Sequence, residues 1–303
     1  MSPSPASLYD VNGRTVFITG AARGIGAATA ERLHGKGANV ALVGLEPDLL
    51  EELAARLGDR AAAFAADVTD YDALERAVEG TIERFGAIDV GIANAGLQFN
   101  GALATAPIEQ VERLLAVNFL GVWRTDRALI GHILKRRGYL LNISSLSAIT
   151  RAPLLGAYSA SKAGVEALSD CLRSETAPSG ARVGCAYFGF LDTDLVRAAF
   201  AYPSTQLLNS QGPGFITRPA PLSTAIDAIE RGVERRSARV WAPRWVGPMI
   251  LMRGLLQPLL ERRIQRSPQL PEALRLVDPA SENGGGAIAE QDPLLGVASR
   301  ALE

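Results

Sequence analysis

Short apolar runs, the first of them (Thr15–Thr19) β-branched, alternate with amphipathic segments from Thr15 to about Ala242, and this alternation constrains the fold more than any other feature. The runs are Thr15–Thr19, Asn39–Val43, Ala61–Ala65, Asp89–Ala93, Tyr139–Ile143 and Arg182–Tyr187. They are near-continuously apolar rather than alternating with polar residues, the pattern of strands covered on both faces. Segments of helical period separate them, at about Gly26–Lys36, Asp48–Leu57, Tyr71–Phe85, Ile108–Arg136 and Ala157–Glu175. Such a chain builds an α/β fold: a doubly wound parallel sheet of the Rossmann type with helices on both faces. We read residues 12–242 as this single domain, 243–266 as an apolar and basic C-terminal extension, and 267–303 as a tail with little fixed structure. The tail carries Pro, Gly and acids, including NGGG at Asn283–Gly286. Leu191–Pro219 lacks periodicity and holds several Pro, Ser and Gly, which predicts a long lid-like loop with one short helix near Leu195–Ala201.

Composition narrows the function. The 303 residues are 48% hydrophobic and 21% charged, enough for a sizeable core. A net charge of -1 gives no electrostatic case for nucleic acid. Cys171 and Cys185 sit in no CxxC or Cys/His spacing, so neither a disulfide framework nor a metal site is expected. Met1–Val11 has neither a basic nor an apolar leader region, and no apolar run is long enough to span a bilayer, so the chain reads as cytoplasmic. His34 and His132 lie singly on predicted helices and are read as surface or satisfied polar residues.

Three constellations carry chemistry. Gly20-Ala21-Ala22-Arg23-Gly24-Ile25-Gly26 follows a strand and opens a helix. Glycines there permit a tight turn and close approach to a pyrophosphate, and the helix N-terminus offers unpaired amides. The spacing is GxxxGxG, and the bland alternative is a strand–helix turn. Asp67-Val68 ends the third run and Asn94-Ala95-Gly96 the fourth, where ligands collect in parallel sheets. An acid there can hydrogen-bond an exocyclic amine, Asn94 can brace neighbouring loops, and Ala95-Gly96 leaves room for a ribose. Tyr158 and Lys162 are four apart, on one helix face, with Ser145 after the fifth run and Asn118 upstream. A Lys cation beside a phenol lowers its pKa and makes it an acid/base. Taken alone, Tyr-x-x-x-Lys is more often an ordinary surface pair.

Together these residues resemble the short-chain dehydrogenase/reductase family in its single-domain Tyr-x-x-x-Lys branch, from about Arg14 to Trp241. The resemblance rests on TGAARGIG at Thr19–Gly26, DVT at Asp67–Thr69, NAG at Asn94–Gly96, Asn118, NISS at Asn142–Ser145 and YSASK at Tyr158–Lys162. Ser145 stands thirteen residues and Asn118 forty residues before Tyr158, as the family requires. The resemblance implies an NAD(P)-dependent oxidoreductase interconverting a carbonyl and a secondary alcohol. In it Tyr158 transfers the proton, Lys162 tunes Tyr158 and holds the nicotinamide ribose, and Ser145 hydrogen-bonds the reacting oxygen. Asn118 binds a relay water, and Thr193 meets the nicotinamide carboxamide. It also implies a homodimer or homotetramer. One departure is Phe188-Gly189 where the family often has Pro-Gly. The alternative from another class is a non-catalytic NAD(P)-binding redox sensor, which would not need all four residues of the catalytic set.

No acid stands at Gly44, and Arg23 can pair with a 2′-phosphate, which leans toward NADP over NAD; against this, Leu45 stands where NADP enzymes often place an Arg, and Glu46 can reach a 2′-hydroxyl. Leu195, Val196, Phe200, Tyr202, Leu207, Leu208 and Phe215 point to a hydrophobic substrate or, equally, to a loop covering its own pocket. Trp245–Leu260, flanked by Trp241 and by Arg262, Arg263 and Arg266, either packs over the cleft or a partner subunit, or makes a reversible peripheral contact with anionic lipid. Gly247, Pro248, Gly254 and Pro258 are expected to limit regular helix there.

Overall fold

The computed structural model describes residues 8–210 and 214–278. Seven strands, β1 (Thr15–Thr19), β2 (Asn39–Gly44), β3 (Ala61–Ala65), β4 (Val90–Ala93), β5 (Tyr139–Ile143), β6 (Arg182–Phe188) and β7 (Arg239–Ala242), form one parallel sheet in the order β3-β2-β1-β4-β5-β6-β7. The winding reverses between β1 and β4, and a crevice opens beyond the carboxyl ends of the strands at such a switch point. Side chains alternate across the sheet as the strand period demands. Val16 and Ile18 of β1 join Val40 and Leu42 of β2 in one core, whereas Phe17, Ala41 and Val43 enter the other.

The first core is closed by α1 (Gly24–Gly35), α2 (Pro47–Leu57) and, later in the chain, Leu222–Arg235. The second is closed by α3 (Tyr71–Phe85) and by the helix after β4. Asp70 caps α3 by accepting from the Ala73 amide at 3.1 Å, and Gly86 ends it in the left-handed region at φ 84. The long pattern between β4 and β5 is not one regular helix. It is α4 (Ile108–Leu115), a π-helical turn at Ala116–Leu120 and α5 (Gly121–Arg136). The widened turn holds Asn118, fully buried, and π-turns recur at functional positions.

After β5 come α6 (Gly156–Thr176), then β6, α7 (Asp194–Ala201), α8 (Pro203–Asn209), α9 (Gly214–Thr217) and α10 (Leu222–Arg235). The expected lid loop is therefore mostly helical, with Thr193 capping α7 and Pro203 opening α8. Past β7, α11 (Val246–Gln265) runs unbroken through Gly247, Pro248, Gly254 and Pro258, contrary to the sequence expectation. Pro248 lies in the first turn, where the missing amide costs nothing. Gly247 is required by packing, since a Cβ there would meet the Trp241 indole nitrogen at 2.5 Å. The expectation of little fixed structure from Ser267 is also corrected as far as Asp278. Here α12 (Leu270–Arg275) buries Ala273, and Val277 after it, against Leu154, Leu207 and Leu208. Residues 279–303, including the NGGG run, lie outside the described residues, as does the Phe215 side chain.

A polar group is sealed between α5, β5 and α6. Asp126 accepts from the Asn142 amide at 2.7 Å, and Asn142 also donates to Ser169 at 3.1 Å. The remaining oxygens, Asp126 Oδ1 and Asn142 Oδ1, have no partner among the described residues. Burial pushes the Asp126 carboxyl up to about 7, opposed by the Asn142 bond. The folded state therefore holds this proton more tightly than the unfolded chain does. The associated stability is fully present below the ordinary carboxylate range and is lost as pH rises from there through about 7. Asp126→Asn is expected to remove that loss. In thermal melts the variant should gain several degrees on the wild type at pH 8 and little at pH 4. A difference independent of pH would show that Asp126 does not titrate there.

Candidate active site

Asn94 organises the crevice floor. Its side chain donates to the carbonyls of Thr19 at 3.0 Å and Gly20 at 3.1 Å, while the Asn94 and Ala95 amides donate to the Thr19 hydroxyl at 3.0 and 3.2 Å. The end of β4 is thereby fastened to the loop after β1. Gly20 has φ 64, and a Cβ on it would meet Ala95 Cα at 2.8 Å. Gly26 is tighter still: its Cβ would lie 2.1 Å from the Gly20 carbonyl oxygen. Gly26 therefore seats α1 against the loop, whereas Gly20, Ala22, Arg23, Gly24 and Ile25 line the cavity itself. Arg23 is extended at the N-cap of α1 with no side-chain cap, and no acid stands in the first turn, so the helix end is left for an anionic ligand.

Two ion pairs, neither legible as a pair in the sequence, set the far corner. Arg23, expected to face a 2′-phosphate, instead holds the Glu46 carboxylate at 2.5 Å. Glu46 Oε2 lies 3.7 Å from where a Cβ on Gly44 would stand, so an acid does occupy the end of β2 although residue 44 is not one. Asp67 accepts from the Thr69 amide at 2.8 Å and pairs with Arg113 of α4 at 3.2 Å. Arg113 also lines the cavity, and no motif in the sequence singles it out. Val68 packs against Leu74 and Val117 at the cavity wall.

On α6, Tyr158 and Lys162 share one face, as the spacing requires. Ser145, extended just beyond β5, accepts from the Ser147 amide at 3.1 Å and lines the cavity beside Tyr158. Lys162 is 4% exposed; its ammonium donates to the Ile143 carbonyl at 2.9 Å and lies 5.8 Å from the Tyr158 ring centre. Burial lowers its pKa to about 8. Burial holds the Tyr158 pKa above the ordinary value, and the opposing influence is the neighbouring Ser145 hydroxyl.

The Asn118 side chain braces the loop after β4. Its Oδ1 accepts from the Leu97 amide at 2.7 Å, and its Nδ2 donates to the Leu97 carbonyl at 2.8 Å and the Ser161 hydroxyl at 3.4 Å. The side chain thus fixes the loop after β4, and Asn118 does not line the cavity. Gly96 fits between: a Cβ there would lie 3.3 Å from Asn118 Oδ1 and 3.5 Å from the Lys162 ammonium.

These parts enclose a cavity of about 1160 Å³. It runs from Glu46 and Asp67 past Ser145, Tyr158, Lys162 and Thr193 to Leu195, Val196, Leu208, Leu260 and Ile264. The Thr193 hydroxyl accepts from the Val196 amide at 3.3 Å. Size, glycine cradle, free helix end and the paired acids suit a dinucleotide. Among the described residues no group of His, Cys, Asp and Glu could hold a metal.

The short chain dehydrogenase family model matches residues 14–203. The chain belongs to the short-chain dehydrogenase family. It is 34% identical over 192 residues to the 2-(R)-hydroxypropyl-CoM dehydrogenase of Xanthobacter autotrophicus, covering 61% of this chain and 77% of that protein. It is 32% identical over 224 residues to 3beta-hydroxysteroid dehydrogenase 1 of Eggerthella lenta, covering 71% and 86%. Among solved structures it is similar to the 3-ketoacyl-(acyl-carrier-protein) reductase of Brucella melitensis complexed with NADH. That match has a TM-score of 0.68 and 25% identity, over 77% of this chain and 97% of the other. This short-chain dehydrogenase is accordingly an NAD(P)-dependent oxidoreductase acting on CH–OH and C=O groups, rather than a non-catalytic sensor.

The departure at Phe188 leaves the dehydrogenase sheet intact. Phe188 ends β6 in register with Ala242 of β7, and its side chain is 5% exposed in the core. Gly189 then lies under Trp245, whose ring would be 3.2 Å from a Cβ there. The first turn of the C-terminal helix is thus fitted against the strand end that the family usually closes with Pro.

Proposed function

We propose that this dehydrogenase interconverts a ketone and a secondary alcohol on a largely apolar substrate, with Tyr158 as the proton-transferring group and NAD(H) favoured over NADP(H). The observation that carries the reading is the meeting of Ser145, Tyr158 and Lys162 on the wall of one cavity whose far side is Leu195, Val196, Leu208, Leu260 and Ile264. Bound nicotinamide supplies the hydride for reduction or takes it up in oxidation. In reduction Tyr158 gives its proton to the carbonyl oxygen as the C=O π bond becomes C–H and O–H, and Ser145 donates to the same oxygen. Lys162, protonated at neutral pH with its pKa near about 8, steadies the phenolate left behind. Gly96 leaves space beside Lys162 for a ribose. A homo-oligomer is part of this reading, supported by exposed Trp123 and Leu120 at the α5 surface, and sedimentation velocity reads it directly.

A panel of aliphatic, aromatic, steroid and retinoid ketones and alcohols, followed by nicotinamide absorbance, tests the substrate class. Bulky apolar compounds should show the highest kcat/KM; preference for small hydrophilic ones would overturn the reading.

The cofactor preference reverses the lean drawn from sequence, because Arg23 is neutralised by Glu46 and the carboxylate itself lines the cavity. A 2′-phosphate would meet that charge, whereas a 2′-hydroxyl can donate to it. Wild type should bind NADH more tightly than NADPH. Glu46→Gln should free Arg23 and improve NADPH affinity by about tenfold, ~1.4 kcal/mol. Equal NADPH affinity in both proteins, measured by fluorescence titration, would refute the assignment.

A further inference from the structure

We propose that α11 is a membrane-docking helix that lies in the plane of an anionic bilayer and sets the mouth of the active-site cavity on it. The helix is held firmly at its first half. Val246 and Ile250 are buried against Leu146, Ile149 and Tyr187. Arg253 reaches Glu166 of α6 at 2.6 Å, the same carboxylate oxygen that accepts from Tyr187 at 2.9 Å. Tyr158, Lys162 and Glu166 recur every four residues, so α11 is latched to the helix that carries the catalytic pair.

With that side fixed, the opposite side faces solvent and is apolar. Leu251, Leu255 and Leu259 are spaced by four and are 81%, 71% and 62% exposed, with Met252 at 48% beside them. Leu251 is the most exposed large apolar side chain among the described residues. A surface helix of a soluble protein ordinarily turns polar residues outward, and a contiguous apolar stripe marks a contact surface. Arg262 and Arg266 continue the stripe at three- and four-residue spacing. From Arg244 to Arg266 there are five arginines and one acid, Glu261, in a chain of net charge -1. An apolar stripe continued by cations fits acyl chains under a layer of lipid phosphates. A second copy of this chain, laid stripe to stripe, would bring the same excess of arginines to the contact.

No helix among the described residues is long and apolar enough to cross a membrane, so the contact is parallel to the surface. Leu259, Arg262 and Arg266 line the cavity as well as the stripe, so docking brings the cavity mouth to the lipid. That consequence, direct exchange of substrate with the bilayer, rests on the apolar-substrate reading above; the docking itself does not.

Flotation of the full chain with vesicles tests the docking without any substrate. The chain should float with vesicles of phosphatidylglycerol and phosphatidylcholine, bind pure phosphatidylcholine less, and release in high salt. Leu251→Gln with Leu255→Gln should lower the bound fraction by about tenfold or more, the consequence of withdrawing two leucines from acyl chains. The double variant should keep the wild-type melting midpoint and NADH affinity, which separates lost docking from lost folding. Absence of wild-type flotation, or flotation undiminished in the double variant, overturns the proposal. A wild-type dimer that the double variant dissolves, with no flotation, assigns the stripe to a second copy instead.

Discussion

Tyr158→Phe is expected to lower kcat on any accepted ketone by roughly 10²- to 10⁴-fold, the usual worth of a positioned acid–base group. The substitution keeps the ring and its packing beside Phe99, Leu114 and Ala157 while removing the transferable proton. Burial already holds the phenol above its ordinary pKa, so at neutral pH the proton is present and available for reduction. NADH affinity should change little, because the glycine loop, Glu46 and Lys162 are untouched. The two readouts together are diagnostic: a variant that turns over near the wild-type rate, or that loses NADH binding in parallel with rate, would remove Tyr158 from the proton-transfer role.

Gly26→Ala should be comparably severe for a different reason. A single methyl there would stand 2.1 Å from the Gly20 carbonyl oxygen and 2.7 Å from Asn94 Nδ2. Both neighbours are fixed, since Asn94 donates to that same carbonyl, so the methyl is accommodated only by moving α1 off the loop. Overpacking of rigid neighbours costs up to about 3 kcal/mol. Where the fold survives, that corresponds to about a hundredfold weaker NADH binding, read by fluorescence titration. Gly254→Ala is the matched control. Its Cβ would meet nothing within 4 Å, and Ala favours helix over Gly, so stability should hold or rise. Tight NADH binding by a well-folded Gly26→Ala protein would show that the loop is looser than its geometry.

Much of this site is legible in the amino-acid sequence because its determinants are local. Tyr158 and Lys162 share a face by helical spacing alone, and Gly20 and Gly24 are recognisable as the residues that tolerate positive φ in a strand–helix turn. The short apolar runs specify β1, β2 and β6, and their lack of a polar face specifies a sheet covered on both sides. Where sequence and structure part, the deciding partner is distant. Gly44 reads as an empty acid position, yet Glu46 turns back over it because Arg23, twenty-three residues earlier, draws its carboxylate there. Helical proximity places Lys162 beside the phenol, and the Ile143 carbonyl at the end of β5, which no local spacing reveals, anchors its ammonium there. That the Leu97 backbone takes up both ends of the Asn118 amide is likewise set by the loop after β4, twenty-one residues earlier.

The C-terminal region divides the same way. Its apolar and basic composition is plain in the sequence, but Gly and Pro argue against a helix when intrinsic propensity is the only guide. Tertiary packing overrides it: Trp241 requires Gly247, Glu166 holds Arg253, and α12 finds the lid at Leu207 and Leu208. The sequence by itself determined the strands and helices of the sheet, the glycine turn and the catalytic spacing, since backbone sterics and periodicity act within a few residues. Tertiary structure alone decided which acid stands at the end of β2, where the lysine is anchored and which side of the last long helix is left to solvent. Those outcomes depend on charges and packing surfaces that meet only after the sheet has brought distant segments together.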